Sequence, residues 1–124
     1  MDERKFWNII KSVHERGDAW NMRLLGGALV DTLIEQPESE ILAFDRIFDT
    51  LMDGAYQANL WDAADMIVCG CSDDGFIDFR TWLIAQGQNV YEDALKNPDS
   101  LSAVIPSQMR YATLNGLLSA VAWD

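Results

Sequence analysis

Residues Pro37–Ala55, Pro-Glu-Ser-Glu-Ile-Leu-Ala-Phe-Asp-Arg-Ile-Phe-Asp-Thr-Leu-Met-Asp-Gly-Ala, decide the fold. Their apolar members Ile41, Phe44, Phe48, Leu51 and Ala55 recur at steps of 3, 4, 3 and 4. That period is one face of a helix, and a strand would alternate instead. Pro37 suits the first helical position, where a missing N–H is harmless, and Glu38 and Glu40 follow where the helix dipole favours anions. The other face carries Asp45, Asp49 and Asp53 at four-residue steps. Like charges so spaced repel by a few tenths of a kcal/mol per pair.

The same period extends in both directions. Phe6, Ile9, Ile10 and Val13 predict a first helix over about residues 2–15, and Asp18 is a candidate N-cap for a second reaching about Gln36. Gly26-Gly27 inside it costs on the order of 1 kcal/mol per glycine, which predicts close helix packing or a break. Trp61, Ala64, Ile67 and Val68 mark a fourth helix over Leu60–Cys69, and a fifth runs from Gly75 to Ala85 with Gly87 just beyond it. A shorter helix covers Val90–Lys96, Asn97-Pro98 opens a brief turn of helix, and Pro106 opens a last helix carrying Met109, Leu114, Leu117, Leu118 and Val121. No run alternates with the strand period. The expectation is an all-α protein: one compact domain of about six to seven helices over residues 1–124, with Phe6, Ile10, Phe44, Phe48, Leu51, Phe79 and Leu83 in its core. The five tryptophans, Trp7, Trp20, Trp61, Trp82 and Trp123, are expected in the core too, with a surface groove the alternative for Trp123.

Charge narrows the function. The net charge is −11, and from Asp31 to Asp78 twelve carboxylates face a single cation, Arg46. Phosphate repulsion argues against nucleic acid, and anionic membrane surfaces are disfavoured for the same reason. No stretch approaches the roughly 20 apolar residues of a membrane span. The N-terminus lacks a secretory pattern, so the expected compartment is the cytoplasm. A basic protein or a cation is the partner such a field attracts.

The residues Cys71–Gly87 hold the candidates for chemistry. The corner Ser72-Asp73-Asp74-Gly75 resembles a calcium loop only loosely. With Gly75 as the sixth loop residue, Gly70 falls at the first ligand position and Thr81 at the twelfth, where a glutamate is needed. Ser72 or Asp73 capping the fifth helix, with Asp74 favoured by its dipole, is the structural alternative. Asp78 and Arg80 are two residues apart and point away from each other on a helix. Arg80, between Phe79 and Trp82, is expected to bind a distant carboxylate, Asp73 or Asp45. Cys69 and Cys71 form a Cys-x-Cys pair without a second pair, and His14 is the only histidine. Four zinc ligands are not assembled from these, and both cysteines read as small buried apolar groups. No catalytic set, metal or cofactor is expected.

The run Ile41–Phe48 and the Cys71–Gly87 stretch resemble a bacterial family, the domain of unknown function 4240. Met-Asp-Glu-x-x-Phe-Trp at the start, the Trp61 segment and the region from Tyr91 to Asp99-Ser100-Leu101 are similar as well. The resemblance implies a small bacterial cytosolic domain and assigns no catalytic residues.

Taken with size and charge, the first expectation is a non-enzymatic acidic binding domain of the kind that neutralises a basic toxin, an immunity-type protein. Its expected partner surface is Asp45, Asp49, Asp53, Asp73, Asp74, Asp78 and Arg80. The alternatives are a small-ligand or enzyme domain using Asp73, Asp74, Asp78 and Arg80, and a regulatory adaptor docking through the acidic helix.

Overall fold

A computed structural model describes residues 1–16, 22–67 and 70–104. The protein is all-α. Among the described residues six α-helices, α1 (Glu3–Arg16), α2 (Met22–Leu33), α3 (Glu38–Gly54), α4 (Ala58–Ile67), α5 (Asp73–Ala85) and α6 (Gln88–Lys96), precede a 3-10 helix, Pro98–Ala103. Among the described residues there is no strand.

The core gathers on α5, which buries Phe76, Phe79, Arg80, Trp82, Leu83 and Ile84. Helix α1 lays Phe6, Trp7, Ile9, Ile10 and Val13 into the same cluster. Phe6 meets Phe44 of α3 at 4.5 Å between ring centroids, and Trp7 meets Tyr91 of α6 at 5.6 Å. His14, near the end of α1, is half-buried and donates from Nδ1 to the Ala85 carbonyl at 3.2 Å, pinning α1 to the end of α5. Three residues expected to be buried are placed differently: Phe48, Trp61 and Cys71 are half-buried, packed against the edge of the cluster. Trp7 and Trp82 are buried and Trp61 half-buried, while Trp20 and Trp123 lie outside the described residues.

The helix ends correct several sequence expectations. Helix α2 stops at Leu33, three residues before the expected Gln36. A turn closed by the Gln36 amide on the Leu33 carbonyl follows, because Pro37 disfavours helical geometry in the residue before it. Asp18 lies outside the described residues. Pro37 stands at the N-cap of α3, one position earlier than expected, with ψ 152°. Gly26 and Gly27 do not break α2: both are exposed, and among the described residues a Cβ on either would meet nothing within 4 Å. Helix α4 (Ala58–Ile67) begins two residues before the expected start, and Val68 and Cys69, over which it was expected to continue, lie outside the described residues. Helix α5 starts at Asp73 because its cap is Ser72. Gly87, at φ +107°, ends α5 as expected and also leads into α6, which begins at Gln88 and not at Val90. The helix expected after Pro106 lies outside the described residues.

Among the described residues no helix is long and apolar enough to cross a membrane.

Candidate functional site

Asp45, Asp49 and Asp53 are all exposed on one side of α3. Among the described residues the ion pairs join Glu40 to Lys5, at 3.1 Å, and to the Met1 amino group, also at 3.1 Å. Of the twelve carboxylates between Asp31 and Asp78, therefore, only Glu40 has a described cationic partner. The stripe also runs against the helix dipole, since Asp53 sits in the last turn, where carbonyls already concentrate negative potential.

Arg80 supplies the opposite charge at that helix end, from inside. It is buried, and its Nη1 donates to the Met52 carbonyl at 2.7 Å while Nε donates to Phe76 at 3.3 Å. Its guanidinium carbon lies 4.9 Å from the Tyr56 ring centre and 4.8 Å from that of Phe76. The expected pairing with Asp73 or Asp45 is not formed; no described carboxylate lies within ion-pair distance. The physical reason is the α3 C-terminus, whose unsatisfied carbonyls and dipole attract a cation without any acidic side chain. Tyr91 reinforces the same end, donating its hydroxyl to the Leu51 carbonyl at 2.6 Å. Burial, then the charges of Glu3 and Glu92, push the Tyr91 phenol up to about 12.

The corner between α4 and α5 is built from both sides. Trp61 donates from Nε1 to the Cys71 carbonyl at 2.9 Å, the Asp65 carboxylate accepts the Cys71 amide, and Gly70 turns the chain at φ +110°. Ser72 Oγ accepts the Gly75 amide at 3.2 Å, which settles the N-cap between the two expected residues. Asp73 and Asp74 remain exposed in the first turn. Asp78, one turn on, is half-buried, and burial followed by the Asp74 charge pushes its carboxyl up. Burial, with Asp65 and Asp78 nearby, also pushes the Cys71 thiol up, so it is a poor nucleophile at neutral pH. Cys69 lies outside the described residues. Among the described residues no group of three or more His, Cys, Asp or Glu is arranged to hold a metal ion.

The seven candidate residues thus divide. Asp45, Asp49 and Asp53 share the exposed face of α3, Asp73 and Asp74 are exposed at the start of α5, Asp78 is partly covered, and the Arg80 donors turn inward. Sequence reading missed Tyr56, Met52 and Tyr91 in the Arg80 junction. Backbone carbonyls carry no residue signature, so nothing in the sequence pointed to Met52.

Fold and site define a class: an acidic helical domain in which, among the described residues, only Glu40 of the twelve carboxylates between Asp31 and Asp78 has a cationic partner. The chain belongs to the DUF4240 family, described as a protein of unknown function, which matches residues 1–123. No curated protein and no solved structure matches it.

Proposed function

We propose that the protein is a non-enzymatic binding domain that docks a basic protein partner through the exposed face of α3, with Asp45, Asp49 and Asp53 at its centre. Asp73, Asp74 and Asp78 at the α5 start add to the same negative field. The observation that supports this reading is the unpaired charge: of twelve carboxylates in the acidic half, only Glu40 has a described cation. A fold gains nothing from such an excess, whose self-repulsion weakens the compact state. A cationic partner gains both steering and complementarity from it. Arg80 takes a supporting role, fixing the end of the helix that carries the stripe.

Within that reading, a toxin-neutralising immunity protein of the bacterial cytoplasm is the specific form favoured by size and charge, by analogy. Affinity capture from a cell lysate, followed by mass spectrometry, identifies the partner. Reversing Asp45, Asp49 and Asp53 to lysine then slows association, and wild-type binding weakens with salt as screening shortens the field. A captured partner whose affinity and salt dependence ignore the triple reversal overturns the proposal.

A further inference from the structure

The end of α3 meets the outer side of α5 at an apolar patch. Tyr56, just beyond α3, is 59% exposed, and Ile77 of α5 is 46% exposed. The Tyr56 ring lies 5.8 Å from that of Phe76, the neighbour of Ile77 in the chain. Met52, half-buried on α3, joins the two helices: the Thr81 hydroxyl, one turn beyond Ile77, approaches its sulfur at 3.9 Å.

Tyr56 is exposed without being loose. Trp61 meets it edge-on at 5.9 Å, Phe76 packs on it, and the Arg80 guanidinium carbon lies 4.9 Å from its ring centre. A ring already fixed on several sides loses little freedom when a partner covers it. Such preorganised aromatic residues dominate the energetics of many protein interfaces.

The charges around the patch are of one sign. Asp49 and Asp53 are exposed on α3, while Asp74 is exposed and Asp78 half-buried within a turn of Ile77 on α5. Arg46, the one cation of the acidic half, stands ten residues before Tyr56, about 15 Å away along a helix. The Arg80 donors turn inward, onto the Met52 and Phe76 carbonyls. A second copy of the chain, itself at −11, would press a like-charged rim against this one. The complementary occupant is a segment with an apolar side chain flanked by lysine or arginine.

Resting on the reading of α3 as a docking face for a basic partner, we propose that Tyr56, Met52 and Ile77 form the apolar anchor of that interface. They join the α3 and α5 acids into one surface and take an aliphatic side chain that the partner sets between cations.

Two lysine-rich helical peptides test this by titration calorimetry on the full chain. Each has about 14 residues, enough to span about 21 Å; they are identical except that two central alanines of one are leucines in the other. The leucine peptide should bind at least about tenfold more tightly, the scale of burying the added methylenes. Ile77→Ser and Tyr56→Ala should each remove most of that advantage. Ile77→Ser leaves the Tyr56 stack in place, so it carries the test even where Tyr56→Ala weakens the fold. Val30→Ser, at an exposed apolar site on α2, is the control and should preserve the advantage. Equal affinity of the two peptides, both weakened by reversing Asp45, Asp49 and Asp53 to lysine, overturns the anchor and leaves the electrostatic reading standing. Affinities indifferent to that reversal, or no binding of either peptide, overturn both. A dimer by light scattering that Ile77→Ser dissolves also overturns the proposal and assigns the patch to a second copy.

Discussion

The inner end of α3 closes on Arg80 and Tyr91, which satisfy the Met52 and Leu51 carbonyls, whereas its outer side displays Asp45, Asp49 and Asp53 without a described cation on any of them. One helix therefore carries two kinds of electrostatics. Inside, a buried cation is answered by a helix dipole, two aromatic faces and two carbonyls, so each polar atom named there has a structural use. Outside, equal charges repeat at one-turn spacing, and each neighbour slightly weakens the helix. The difference separates residues that build the fold from residues that are free to meet something else.

Breaking the inner arrangement should have the largest effect. Arg80→Ala removes two charge-assisted hydrogen bonds and the sandwich between Tyr56 and Phe76. Hydrogen bonds to charged groups contribute about 1.5–3 kcal/mol each and a desolvated cation–π contact up to about 2, so a loss of roughly 3 kcal/mol or more is expected in urea unfolding. Arg80→Lys should recover only part of it, because an ammonium cannot reproduce the planar fork. A loss under about 0.5 kcal/mol would mean the guanidinium is not holding the α3 end.

The corner comes next. Ser72→Ala should cost about 0.5–2 kcal/mol through the lost cap, and Asp73→Ala less, about 0.3–1, since only its dipole interaction is removed. The reverse order would return the cap to Asp73.

Tyr91→Phe should cost about 0.5–1.5 kcal/mol at neutral pH. Its pH dependence is more specific. The folded phenol is pushed up to about 12, while an unfolded tyrosine ionises near 10. The unfolded state thus releases this proton first, and stability falls as pH rises from about 10 through 12. In Tyr91→Phe that share of the alkaline loss should vanish, as thermal unfolding at pH 9 and pH 11.5 would register.

Much of the fold was legible in the sequence because burial follows the helical period. The α3 face and the α1 stripe are placed as their spacing implies, and the acidic stripe was visible from four-residue steps alone. Helix limits were less legible. The end of α2 depends on how the chain turns ahead of Pro37, and the start of α5 depends on which of two adjacent residues reaches back to Gly75. Arg80 was misjudged for a deeper reason. Sequence offers carboxylates as partners for a cation, but here the partner is a helix terminus assembled by tertiary packing. Gly26-Gly27 misled as well: the pair signalled a close approach or a break, and among the described residues nothing approaches that side of α2.

The smallest effect tests the separation between the two sides of α3 most directly. The triple variant Asp45→Asn, Asp49→Asn, Asp53→Asn changes charge with little change in helix propensity. Urea unfolding of this variant beside the wild type, at low and high salt, is the measurement. If the outer face is surplus to the fold, the variant should be more stable at low salt by a few tenths of a kcal/mol per neutralised pair, and the gap should narrow as salt screens the repulsion. A variant less stable than the wild type at both salt concentrations would contradict the account, because the aspartates would then be holding the fold together.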